Sequence, residues 1–237
     1  NNVYGSLYLL QVMQKLSIKS IVFSSSATVY GDPERLPISE DHPCRPANPY
    51  GYTKLVIENM CRAIYGADNS WHIALLRYFN PVGAHQSALI GEDPNGIPNN
   101  LMPFVSQVAV GKREELAVFG NDYDTPDGTG IRDYIHVVDL ANGHLAALSH
   151  LSELGCDAIN LGTGSGHSVL ELLHAFEDST KRSVKYTIAP RRSGDVSSCY
   201  ADVNKAAKLL KWNAVHSIDD MCKDSWNWQR NNPNGFS

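Results

Sequence analysis

Two short, unbroken apolar runs stand either side of a helical stretch, and no other pattern constrains this chain as strongly. Ser20-Ile21-Val22-Phe23 ends in Ser24-Ser25-Ser26, and Ile73-Ala74-Leu75-Leu76-Arg77-Tyr78-Phe79 is stopped by Asn80-Pro81. Between them lie a Pro-rich loop and then a helical pattern from Tyr50 to about Tyr65, with Leu55, Ile57, Met60 and Ile64 as its apolar positions. Parallel strands need a crossover of this kind, usually a helix. The predicted fold class is α/β, built on a mostly parallel sheet.

The alternation continues. The stretch 83–100 reads as loop, Leu101 to Val110 as helix, Leu116 to Phe119 as a short strand and 120–130 as polar loop. Ile131 to Val138 reads as extended, with Asp139 capping a helix to about Leu151 and Ala158 to Leu161 forming a strand. A helix from Ser168, a strand from Val184 to Ile188, and helices near 203–212 and 217–230 complete the pattern. Two alternating α/β parts, divided near residue 82, are expected.

Composition excludes several classes. With 237 residues and 43% hydrophobic content the chain can bury a large core, and no apolar run is long enough to span a bilayer. A net charge of −5 gives no general attraction to nucleic acid or an anionic membrane. Five cysteines without a C-x-x-C argue against a disulfide framework and favour a reducing, cytoplasmic setting. Nine histidines include no H-E-x-x-H or other metal spacing, so no metal is expected. Residue 1 is Asn, and Val3, Leu7, Leu10, Met13 and Leu16 already read as mid-helix. The expectation is a piece of a longer chain.

Leu161-Gly162-Thr163-Gly164-Ser165-Gly166-His167 stands where a dinucleotide fingerprint would lie. Its third glycine comes two residues after the second rather than three, and Arg182 occupies the place of the acidic ribose anchor. A tight strand-to-helix turn is expected instead, with Ser168 and Glu171 as a capping box.

Tyr50-Gly51-Tyr52-Thr53-Lys54 puts a tyrosine and a lysine four residues apart, on one helical face. An ammonium beside a phenol favours the phenolate, which makes the pair a proton-transfer device. Ser26 ends the preceding strand, and the carboxyl ends of parallel strands are where α/β sheets bind ligands.

Longer motifs identify a family. Ser-Ser-Ser-Ala-Thr-Val-Tyr-Gly (24–31), Asn-Pro-Tyr-Gly-Tyr-Thr-Lys (48–54) and Leu-Arg-Tyr-Phe-Asn-Pro-Val-Gly-Ala-His (76–85) resemble the extended short-chain dehydrogenase/reductases. Gly-Glu-Asp-Pro-Asn-Gly-Ile-Pro-Asn-Asn-Leu-Met-Pro (91–103) and the stretch 119–139 narrow the resemblance to the UDP-glucose 4-epimerases. The resemblance implies a Rossmann-type doubly wound parallel sheet, its N-terminal strands lying upstream of Asn1, with a smaller α/β substrate-binding domain. Residues 1–82 would be the rest of the NAD-binding domain. Residues 83–237 would be mainly the UDP-sugar domain, with a segment near 131–150 returning to the first.

The same resemblance assigns roles. Tyr50 would exchange a proton with the sugar 4-hydroxyl while NAD takes hydride from C4. Lys54 would bond the nicotinamide ribose and lower the Tyr50 pKa, and Tyr78 would lie against the nicotinamide. Ser26, Ala27 and Thr28 would face the sugar O4. Phe79, Asn80, Asn99, Asn100 and Leu101 would line the UDP-sugar site, with Ala117, Val118 and Phe119 beside the uracil. Arg132 and Arg192 would hold the diphosphate and Asp195 the ribose. Cys199 would limit the sugar pocket, and its small side chain implies activity on UDP-GlcNAc and UDP-GalNAc besides UDP-glucose and UDP-galactose. Galactose metabolism is the implied setting. The first helix and the Tyr50 helix would form a homodimer contact.

Two alternatives stand beside this. A nucleotide-sugar 4,6-dehydratase shares the Tyr/Lys pair but carries an acidic pair where Ala27 and Thr28 stand. A non-catalytic nucleotide-sugar-binding fragment follows if the glycine loop for NAD is not supplied upstream; the fragment on its own is expected to be inactive and prone to aggregate.

Overall fold

The structure is a computed structural model and describes residues 1–236. In chain order it forms α1 (Asn2–Lys15), β1 (Ser20–Ser24), a 3-10 turn (Ala27–Val29), α2 (Pro49–Ala67), β2 (His72–Tyr78) and β3 (Asn80–Val82). Next come α3 (Leu101–Ala109), β4 (Leu116–Phe119), β5 (Ile131–Arg132), β6 (Tyr134–His136), α4 (Val137–Ser149) and α5 (Leu151–Leu154). The remainder is β7 (Cys156–Leu161), β8 (His167–Ser168), α6 (Val169–Thr180), β9 (Tyr186–Ala189), β10 (Ser198–Cys199), α7 (Asn204–Leu210) and α8 (Ile218–Asn231). Two compact units divide these elements: 1–79, 141–164 and 200–213 make the first, and 80–140, 165–199 and the chain from Ala214 make the second.

In the first unit β1, β2 and β7 form a parallel sheet with β2 in the middle, its register running from Ser20↔His72 and Ile73↔Cys156. Residues 73–77 of β2 are all buried, which is why that run lacks polar alternation. On one face Ile73 and Leu75 pack with Leu10 and Met13 of α1 and Ile57 and Cys61 of α2. Leu7 and Leu16 lie outside this core, and with Tyr4, Tyr8, Leu9 and Val12 they leave α1 with an exposed apolar surface.

The second unit packs α3, α6 and α8 around Val105, Leu116, Val118, Leu172, Phe176 and Met221. Its strands are short: β3 pairs with β6, β4 with β9, and β5 lies between β10 and β8. The chain is mixed α/β with parallel sheets. The turn after β7 leads to α6, which Ser168 and Glu171 cap reciprocally, as expected.

Residues 131–138 depart from the expected single extended run. Asp133 separates β5 from β6, and the helix begins at Val137, before Asp139. Asp139 caps nothing of its own. Its carboxylate accepts from Val215 N–H and His216 N–H (both 2.9 Å) and from His216 Nδ1 (2.8 Å), tethering the approach to α8. His136 is fully buried, bonded to Asp224 and stacked on His216, an architectural role.

Candidate active site

At the carboxyl end of β1 the chain turns sharply. Ser26, in extended conformation, caps the 3-10 turn, its Oγ accepting from Thr28 N–H (3.2 Å) and Thr28 Oγ1 (2.9 Å). The start of α2 is set against that turn by its own sequence. Asn48 accepts from Gly51 N–H at 2.9 Å and Pro49 fills the first helical position. Gly51 allows the close approach, because a Cβ there would stand 2.6 Å from Thr28 O. Tyr50 is thereby delivered beside Ser26.

Tyr50, Lys54 and Ser26 come together as expected. Tyr50 remains 46% exposed. Burial raises its phenol above the ordinary value of 10.0, against a hydrogen bond from Ser26 that lowers it. Lys54 Nζ donates to Ser24 O at 2.8 Å and lies 5.5 Å from the centre of the Tyr50 ring. Burial lowers its own pKa. The expected depression of the Tyr50 pKa by Lys54 is not realised: the ammonium points to a carbonyl, and the Ser26 hydroxyl favours the phenolate instead. Tyr78, at the end of β2, is raised by burial and by the neighbouring Tyr50. A phenol, a hydroxyl and an ammonium on one ledge can take a proton from a substrate hydroxyl and return it.

The second unit holds a cavity of about 320 Å³. Of the residues assigned to substrate, Asn80, Asn99, Asn100, Leu101, Ala117, Val118, Phe119, Arg132, Arg192 and Asp195 all line it. The Arg192 guanidinium stacks 4.0 Å from the centre of the Phe119 ring. Arg132 pairs with Asp195 and donates to Val196 O at 2.8 Å. Asn100 starts α3 without a side-chain cap, bonding Glu92 instead at 2.9 Å. Two guanidiniums and an uncapped helix start suit a phosphate-bearing ligand.

Six assigned residues lie outside this lining: Ser26, Ala27, Thr28 and Tyr78 belong to the ends of β1 and β2, and Phe79 and Cys199 stand elsewhere. Phe79 is buried in the first unit, its N–H donating to Leu161 O at 3.2 Å. Cys199 pairs in β10 with Arg132 of β5, and burial pushes its thiol up to about 11. Met102, Phe104, Tyr134 and Val169 line the cavity unforeseen. The signal for Met102 and Phe104 was helical phase, since they follow Leu101 on α3. Glu58 and Arg77, also unforeseen, are fastened to the same end of β1. Among the described residues no group of three His, Cys, Asp or Glu could hold a metal, and no helix is long and apolar enough to cross a membrane.

Comparison with known proteins agrees with this geometry. Residues 1–225 match the family described as GDP-mannose 4,6 dehydratase. The UDP-glucose 4-epimerase of Bacillus subtilis (strain 168) is 59% identical over 237 residues, which is 100% of this chain and 70% of the relative. The crystal structure of the UDP-glucose 4-epimerase of Bifidobacterium longum, in complex with NAD+ and UDP, is 57% identical with a TM-score of 0.96, over 100% of this chain and 71% of that one. That of Stenotrophomonas maltophila, with bound NAD and formylated UDP-arabinopyranose, is 51% identical with a TM-score of 0.94, over 97% and 69%.

Proposed function

Because the chain belongs to the UDP-glucose 4-epimerase family, we propose that it interconverts UDP-glucose and UDP-galactose at the sugar C4, with NAD as cofactor. The observation that carries this reading is the convergence of Tyr50, Ser26 and Lys54 on the end of β1. Bound at this ledge, NAD would supply a hydride acceptor and donor for the sugar C4. The residues at β1 suit its nicotinamide end: Lys54 spends one N–H on Ser24 O and keeps two for a ribose, and Tyr78 is only half-buried.

Tyr50 takes the proton of the 4-hydroxyl as hydride leaves and returns it as hydride comes back. Ser26 bonds the phenolate and, with Ala27 and Thr28, faces the sugar O4. The cavity of the second unit takes UDP: Arg132 and Arg192 the diphosphate, Asp195 the ribose, and 117–119 the uracil. The first unit thus acts as the catalytic and nicotinamide-binding part and the second as the nucleotide-sugar part. A dehydratase needs an acid to expel water, and Ala27 and Thr28 supply none. A second copy of the chain covering the apolar surface of α1 would give the homodimer that the resemblance implies. The direct test is conversion of UDP-galactose to UDP-glucose by the full-length protein with NAD, and its absence would overturn the reading.

Two expected outcomes refine the substrate. Arg192→Ala removes a charged contact to phosphate, each worth about 1.5–3 kcal/mol, so UDP should bind roughly 10- to 100-fold more weakly by calorimetry. An unchanged Kd would remove Arg192 from the site. Cys199 is small, which favours a pocket that also admits an N-acetyl group. Cys199→Tyr should therefore lose turnover of UDP-GlcNAc while keeping that of UDP-glucose, and retention of both would sink the assignment.

A further inference from the structure

Three consecutive serines close β1, and α2 engages each with a different side chain. Lys54 Nζ donates to Ser24 O at 2.8 Å, Ser25 Oγ donates to Glu58 Oε1 at 2.5 Å, and the Ser26 hydroxyl lies near the Tyr50 phenol and favours its phenolate. Tyr50, Lys54 and Glu58 follow at four-residue steps and so form one row along the helix. The third member of that row touches no reacting atom. Glu58 and Ser25 are both fully buried.

A buried carboxylate persists only if it is paired and fully hydrogen-bonded. Glu58 meets that demand with four donors. Arg77 of β2 gives Nε to Oε1 (2.9 Å) and Nη2 to Oε2 (2.7 Å), Arg62 gives Nη2 to Oε2 (2.7 Å), and Ser25 completes the set. Burial pushes the Glu58 carboxyl up, and the bonds and charge of Arg77 outweigh it, holding the pKa below its ordinary value. Arg77 is itself fixed. Its Nη1 donates to Tyr30 Oη (3.1 Å) and Glu40 O (3.3 Å), and Tyr30 Oη donates to Asn160 Oδ1 on β7 (2.7 Å).

Such a cluster is weak evidence for stability, since apolar side chains of like volume often serve as well. What it adds is direction. The packing of Ile57 and Cys61 against Ile73 is non-directional and tolerates sliding of α2 over the sheet. A bidentate guanidinium and a 2.5 Å hydroxyl bond do not.

We propose that Glu58, locked by Arg77 and bonded to Ser25, is a positioning residue that sets α2 against the end of β1 and thereby fixes the distance from Tyr50 to Ser26. The inference rests on the epimerase reading, in which that distance governs proton transfer. Ser26, Lys54 and Tyr78 are the polar groups facing Tyr50, and each is left in place by a change at Ser25.

The test is Ser25→Ala in the full chain, which removes one hydroxyl and keeps the Glu58–Arg77 pair. With UDP-galactose, kcat should fall about 10-fold and KM change less than about 2-fold, as expected for lost alignment rather than lost binding. The contact that favours the phenolate weakens, so the rising limb of kcat against pH should move to higher pH. Ser25→Thr, which keeps the donor, should retain both rate and limb. A purely structural role lowers the active fraction and leaves the limb in place, so a lower rate with an unmoved limb overturns the proposal. So does a Ser25→Ala enzyme of wild-type rate. A full-length wild type that fails to epimerise takes the functional reading down with it, whereas an active full-length wild type with an indifferent Ser25→Ala overturns this inference alone.

Discussion

Tyr50→Phe should lower kcat for UDP-galactose by about three orders of magnitude while leaving UDP affinity and folding unchanged. The substitution deletes one oxygen, the group proposed to take the sugar proton. Positioned acid–base groups contribute roughly 10²–10⁴-fold to rate. The ring is partly exposed and absent from the core around Leu10 and Ile57, so little packing is lost. UDP affinity should hold because the cavity in the second unit is lined by none of the α2 residues. Steady-state kinetics with calorimetric titration of UDP checks both halves. A rate within about 10-fold of wild type would mean that some group other than Tyr50 carries the proton.

Arg77→Met should cost about 3–5 kcal/mol of unfolding free energy, the usual result of leaving a buried charge without its partner. The methionine fits a strand interior, but Glu58 would remain fully buried with only Ser25 and Arg62. Equilibrium urea denaturation reads the loss, and a value below about 1 kcal/mol would show that water or Arg62 replaces the guanidinium. The double change Arg77→Met with Glu58→Leu should recover much of the loss, because the cost lies in the orphaned charge. The pH dependence has a definite sign. The folded Glu58 carboxyl is held below its ordinary 4.5, so its contribution is full above that pH and is lost as pH falls through the folded value. Glu58→Gln should remove that part of the acid sensitivity.

Much of the site was legible because its signals are local. The Tyr50–Lys54 row follows from helical period, and the cap at Ser168 follows from residue type. Six of the ten cavity residues stand in the long motifs, whose glycines, prolines and asparagines fix loops that periodicity cannot describe, and Ala117, Val118, Arg192 and Asp195 followed from the wider resemblance. What escaped depends on pairing across the chain. β8 and β10 have two residues each, too few for any alternation, and exist only because β5 lies between them. Val137-Val138 imitates a strand, yet Asp139 is committed to residues 215 and 216, and the chain turns helical early. Arg77 carried a readable hint. A charged residue inside an apolar run announces a buried partner, and Glu58, one helical step beyond Lys54, was the nearest carboxylate on the right face.

The division into two units has a consequence for how the chain acquires its structure. Neither unit is a continuous stretch, and the chain passes between them five times, at residues 79, 140, 164, 199 and 213. The sheet that carries the Ser26–Tyr50 ledge waits for β7, long after β2 has been synthesised, and its unit closes only with residues 200–213. Folding on the ribosome therefore cannot proceed one unit at a time. Both must stay unfinished until residues beyond 199 have emerged, with the β7 edge of β2 unpartnered in the meantime. High contact order slows folding and lengthens that exposure. The demand for chaperone protection is set by the order of the segments, not by the quality of either core.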